Sequence, residues 1–175
     1  RRLLAGGFPR LVLRVADESL SRGGAPLAAA DWLRLKAEAL LGLEQFETAR
    51  DFLREMPEDA LTAYPDLTLL LAFAEREVGC CLDARLHYSA FLLAQPRHPR
   101  RFQAQLGIGL CALEQNLLEE AEMQASQILA GGDKARNVVE QMAMQEFIHP
   151  ATAGIPQTVI VAFFKKLLGR FGNQE

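Results

Sequence analysis

The segment Gly79-Cys80-Cys81-Leu82-Asp83-Ala84, with Tyr88 and Phe91 after it and Pro96 twelve residues beyond Ala84, decides how this chain folds. A glycine interrupts a helical run, and a small residue opens the next run. Aromatic residues then follow at helical spacing, and a proline closes it. Glycine is a poor helix former and punctuates a helical run. Ala84 lets two helices cross closely, and the residue before a proline leaves the helical region. Working outward, the pattern recurs. Upstream, Leu33, Ala37 and Leu40 precede Phe46, Ala49 and Leu53; downstream, Ile108-Gly109 and Ala112 precede Leu118, Ala121 and Ile128. The small residues Ala49, Ala84 and Ala121 stand 35 and 37 residues apart. A partial copy, Gly7-Phe8 with Leu11 and Val15, sits 38 residues before the first. A period of this size is the signature of stacked supersecondary units.

The rest of the chain agrees with a helical reading. Of 175 residues, 50% are hydrophobic and 23% charged, which excludes wholesale disorder. Ala and Leu far outnumber Val and Ile, which favours helices over sheets. Apolar periodicity predicts helices at roughly 2–6, 9–21, 27–42, 45–56, 66–78, 81–95, 99–114, 117–130, 134–148 and 156–170. A proline inside a helix costs about 3 kcal/mol, so Pro57, Pro65, Pro96 and Pro99 are placed at helix ends or in first turns. The last run carries Ile160, Phe163, Phe164, Leu167 and Leu168 on one face, with Lys165, Lys166 and Arg170 on another.

These segments resemble the tetratricopeptide repeat family, whose unit is a helix–turn–helix of 34 residues. The resemblance rests on Phe46-Glu47-Thr48-Ala49, on Gly79 to Ala84 with Pro96, and on Asn116-Leu117-Leu118-Glu119-Glu120-Ala121. It covers about residues 27–130. The first copy lacks the turn glycine and has Lys36 where the family has leucine; the third has Asn116 for the glycine and no closing proline. What it implies is an all-α, right-handed superhelix of about three and a half hairpins over residues 1–133. Residues 134–175 would form capping helices. It further implies that the first helix of each pair lines a concave groove. The groove residues would be Arg34 and Glu38 in the first copy, and Leu69, Phe73 and Arg76 in the second. In the third they would be Leu106, Leu110 and Leu113. The alternative for these leucines is packing against the chain's own last helices. The family's chaperone-binding members clamp a terminal carboxylate with Lys and Asn; this chain has neither at those places.

Other motifs carry less. Gly107-Ile108-Gly109-Leu110-Cys111-Ala112 is like a dinucleotide fingerprint, but no strand precedes it and it lies mid-helix, where glycines serve close packing. Cys80, Cys81 and Cys111 have no metal-ligand spacing, and Cys81 and Cys111 read as small packing residues. His87, His98 and His149 stand in unrelated contexts. Glu119-Glu120 and Glu75-Arg76-Glu77 read as solvated helix faces. No cofactor, metal or catalytic constellation is expected, so the chain reads as no enzyme. A net charge of −3 argues against nucleic-acid binding by bulk charge. Three Arg at 97, 100 and 101 form a basic link that is either solvated or meets an acidic group.

The function expected is a protein-interaction module, scaffold or secretion-type chaperone, that binds a partner helix or extended peptide. The odd cysteine count suits the cytoplasm. The Ala, Leu and Arg bias suggests a bacterial source. The competing class is a peripheral membrane adaptor using the basic amphipathic helix within 156–171. Exchange of that helix between two copies would give a homodimer. The opening at Arg1 reads as a truncated start.

Overall fold

A computed structural model describes residues 8–22, 29–148 and 157–172. Among them the chain is all-α, with ten helices and no strand. We number them α1 (Pro9–Arg22), α2 (Ala29–Gly42), α3 (Phe46–Arg54), α4 (Glu58–Ala63), α5 (Pro65–Glu77) and α6 (Cys81–Ala94). Then come α7 (Arg101–Glu114), α8 (Leu118–Leu129), α9 (Gly132–Ile148) and α10 (Gln157–Gly172). The expected helix at 2–6 lies outside the described residues. The prolines take the places their chemistry allows: Pro9 and Pro65 open α1 and α5, Pro57 precedes α4, and Pro96 and Pro99 lie in the link before α7.

The short helix α4 falls where the periodicity predicts a loop. Six residues are too few to show a helical period. Their start signals are present: Pro57 at the N-cap and Glu58 and Asp59 in the first turn. Leu61 of α4 packs against the core of α2, α3 and α5, and the Thr68 hydroxyl donates to the Leu61 carbonyl at 2.9 Å.

Three helix pairs share one turn. Glu44, Gly79 and Asn116 are left-handed, with φ of 59°, 80° and 58°. Each donates its N–H to a carbonyl three residues back, and the following residue donates to one five back. The latter bonds are Gln45 N–H to Leu40 O (3.0 Å), Cys80 N–H to Glu75 O (2.8 Å) and Leu117 N–H to Ala112 O (2.8 Å). This is the Schellman closure, which satisfies carbonyls the helix end leaves open. The three N-caps that follow have nearly equal dihedrals, φ −87°, −85° and −90° with ψ 61°, 55° and 70°. Four residues later stand Ala49, Ala84 and Ala121, all buried. The same turn thus forms on three different sequences.

The core runs along the molecule in successive patches. Val12 and Ala16 of α1 meet Trp32, Leu35 and Ala39 of α2. Ala37, Leu53, Leu67, Leu70 and Leu71 join α2, α3 and α5. Leu69, Ala72, Ala84, Tyr88, Phe91, Ala104 and Ile108 join α5, α6 and α7. Phe102, Leu106, Leu110, Ile128, Val139, Phe164 and Leu167 join α7, α8, α9 and α10. Helices α2, α5, α7 and α9 contact one another in that order, and α3, α6 and α8 each pack on the next member of that row.

Helix α10 lies on α8 and α9. Phe164 and Leu167 are fully buried, and Phe163 and Leu168 pack partly buried against the same core. The side chain of Ile160 is outside the described residues. Two of the three cations on the other face meet one acid: Lys166 Nζ pairs with Glu122 Oε1, and Arg170 stands 3.4 Å from Glu122 Oε2.

Candidate partner-binding groove

An open cavity of about 440 Å³ lies along the row α2, α5, α7 and α9. Its apolar lining comes from Leu41, Leu69, Leu70, Phe73 and Met142, with the Tyr88 ring from α6; Glu38, Arg100 and Gln103 supply the polar side. These positions follow from the local sequence. Glu38, Leu41 and Gly42 fall on one face of the last turns of α2, and Leu69, Leu70 and Phe73 repeat at three and four along α5.

Tyr88 reaches the cavity through a gap left by a glycine. A Cβ at Gly107 would stand 2.4 Å from Tyr88 Cζ and 2.8 Å from its hydroxyl oxygen. That contact explains Gly107 as a packing residue inside α7. Burial pushes the Tyr88 phenol well above its usual range, so it is neutral throughout physiological pH. Phe73 is half-buried; it meets Phe46 edge to face at 6.5 Å, and the Arg76 guanidinium lies 5.4 Å from its ring centre.

The polar side is an ion-pair chain. Arg34 is only 8% exposed and pairs with Glu38 at 3.1 Å and Asp31 at 3.7 Å. Glu38 also receives Arg100 at 3.4 Å. Arg100 and His98 both stand 3.8 Å from Asp66 Oδ1, beyond hydrogen-bond reach. The basic link therefore faces an acidic group of its own chain. Arg101 instead stacks over the Phe102 ring at 4.4 Å.

Of the groove residues expected from sequence, Glu38, Leu69 and Phe73 line the cavity. Arg34 sits behind Glu38 and fixes its carboxylate. Arg76 is buried under Phe73 and bonded to Glu77, so it belongs to the wall rather than the surface. Leu106 and Leu110 are fully buried in the core shared with α8, α9 and α10, and Leu113 packs partly buried against it. These three leucines do not line the groove, because α9 and α10 cover that part of α7. Sequence reasoning missed Leu70, Tyr88, Arg100 and Met142 as lining. The paired signal for Tyr88 is Gly107, a residue with room for a ring.

Among the described residues, no group of three or more His, Cys, Asp or Glu is arranged to hold a metal ion. No helix there is long and apolar enough to cross a membrane. Compared with protein-family profiles, with curated proteins and with solved structures, the chain shows no significant match.

Proposed function

We propose that this chain is a non-catalytic protein-interaction module of stacked, tetratricopeptide-type hairpins that holds a partner polypeptide in the groove along α2, α5 and α7. In this reading α2–α3, α5–α6 and α7–α8 are three repeats, α1 is the second helix of a partial one, and α9–α10 close the stack. The repeated turn at residues 44, 79 and 116 supports the repeat register. The observation that carries the function is the cavity itself: an apolar lining from α2, α5, α6 and α9, edged on one side by Glu38, Arg100 and Gln103. Such a surface suits an amphipathic helix, or an extended segment, that buries apolar side chains on Phe73 and Leu69 and points a polar group at Arg100 and Gln103. A scaffold or a client-holding chaperone uses a groove in this way. The burial of Phe164 and Leu167 takes away the exposed stripe that motivated a membrane-surface reading.

The test is a selection. A displayed library of helical and extended peptides is panned on the wild-type chain and counter-selected on Phe73→Glu, whose circular dichroism should be unchanged because Phe73 is half-buried. Peptides that bind only the wild type, and that shift the amide resonances of Leu41, Phe73 and Gln103, support the groove. Peptides that bind both proteins equally, or shifts confined to another face, overturn it.

A further inference from the structure

The second and third hairpins meet at two buried sulfurs. Cys81 Sγ, in the first turn of α6, lies 2.7 Å from Cys111 Sγ in the last turn of α7. Both side chains are buried, and Cys81 also bonds the carboxylate of Glu114, which is half-buried at the end of α7. Both thiols are free, as is the half-buried Cys80. Two thiol sulfurs in such contact need only a small approach to reach the roughly 2.05 Å of a disulfide.

We propose that Cys81 and Cys111 form an oxidisable thiol pair that a low-molecular-weight disulfide converts into a covalent staple between α6 and α7. In the overall step, the two S–H bonds and the oxidant's S–S bond break. The Cys81–Cys111 bond forms, and two small thiols leave carrying the two protons. The protein sulfurs lose two electrons and the oxidant's sulfurs gain them. Glu114 is the group in place to receive the Cys81 proton, which then reaches a leaving thiolate through water. The Cys111 contact, burial and Glu114 all push the Cys81 thiol above its ordinary range. The pair is therefore a slow thiol at neutral pH, protected from stray alkylation. Its partner across the helix pair is what gives it specificity: Cys80, one residue earlier, has no such sulfur against it.

The staple would lie one helical turn from Gly107, against which the Tyr88 ring packs, and so would fix the wall of the groove formed by α6 and α7. This inference does not depend on the groove having the proposed occupant.

The experiment uses the full chain and its Cys80→Ser variant, equilibrated in glutathione buffers from reducing to oxidising. Samples are quenched in acid, alkylated and mapped by mass spectrometry. The expected result is a peptide containing Cys81 joined to one containing Cys111, two hydrogens lighter than the sum, in both proteins. The oxidised chain should melt at a higher temperature. A reductant should erase the difference, and a Cys111→Ala variant should show none. If Cys81 and Cys111 are both recovered as free thiols, alkylated after unfolding, from buffer that oxidises Cys80, or if the linkage runs through Cys80 and disappears in Cys80→Ser, the proposal fails.

Discussion

The Tyr88 ring and Gly107 are in direct contact across the α6–α7 interface, and residue 107 has no room for a side chain. Gly107→Ala would drive a methyl group to 2.4 Å from Tyr88 Cζ, against a ring that is itself buried. Overpacking of this kind costs about 1–3 kcal/mol. Glycine is a poor helix former, so the substitution also gains about 0.8–1.0 kcal/mol of helix propensity, and the measured loss is the difference. We expect Gly107→Ala to lower stability in urea titration. In a Tyr88→Leu background, where the ring is gone, it should instead be neutral or stabilising. Additive effects of the two substitutions would mean that the contact is not the reason for the glycine.

The three left-handed turn residues predict an ordered series. Glu44 adopts a conformation that costs an ordinary L-residue about 1–2 kcal/mol, whereas asparagine tolerates it and glycine is free of the penalty. Glu44→Gly should therefore stabilise by about 1 kcal/mol, Asn116→Gly by less, and Gly79→Ala should destabilise by about 1 kcal/mol. Thermal melts of the three variants rank the effects. A destabilising Glu44→Gly would show that the Glu44 side chain does more for the fold than the turn costs.

That series also marks where the sequence stops being legible. The periodic apolar residues and the prolines place nine helices to within about two residues, because burial and missing N–H donors act locally. The turn at Glu44 is illegible, since glutamate does not announce a left-handed backbone; Asn116, which tolerates it, stands where the repeat resemblance expects the turn glycine. Both residues take it because the flanking hairpins, with Ala49 and Ala121 buried, demand the same closure as Gly79. In the groove, Phe73 and Leu69 stand where the repeat resemblance expects them. Leu106 and Leu110 are not separable from them by any local signal. An apolar stripe on a first helix looks the same whether it faces an open groove or the chain's own α9 and α10; only the tertiary cover distinguishes the two.

Acid and base should act on different helix contacts. Glu75 is fully buried and holds Arg54 at 2.7 Å and His87 Nδ1 at 2.6 Å, tying α3, α5 and α6 together. The Glu75 hydrogen bond raises the His87 imidazole above its ordinary value. A folded-state value above the unfolded one means that the contribution is full below about 6.5 and is lost as pH rises through the raised value. Glu122 behaves oppositely. Its hydrogen bond with Lys166, helped by Arg170, lowers its carboxyl, so that contribution is present above the ordinary Glu range and is lost on acidification. Stability should then be greatest between the ordinary Glu and His values. His87→Gln should flatten the alkaline limb alone, and Glu122→Gln the acid limb alone. Limbs unchanged in these variants would assign the pH dependence to other groups.

The C-terminal helix is expected to be integral to the fold. Phe164 and Leu167 of α10 are fully buried among Phe102, Leu106, Leu110, Ile128 and Val139, so three other helices contribute to their cover. Phe→Ala in such a site costs about 3–5 kcal/mol and Leu→Ala about 2–5 kcal/mol, the transfer loss adding to the cavity left behind. That is a large part of the roughly 5–15 kcal/mol that separates a folded domain from its unfolded state. By contrast, Lys166→Ala should cost less than about 1 kcal/mol, because its pair with Glu122 is solvent-exposed on both sides. Deleting residues 156–175 would strip the cover from Leu106 and Leu110 at once, leaving an apolar face on α7, α8 and α9. We expect the truncated chain to bind a hydrophobic dye, to self-associate in light scattering and to melt at a lower temperature than the full chain. Phe164→Ala should shift the urea midpoint far more than Lys166→Ala without changing the helical signal of the folded state. A truncated chain that stays monomeric, takes up no dye and keeps its melting temperature would mean that α10 adds nothing to this core. Phe164 and Leu167 would then serve a partner rather than the fold.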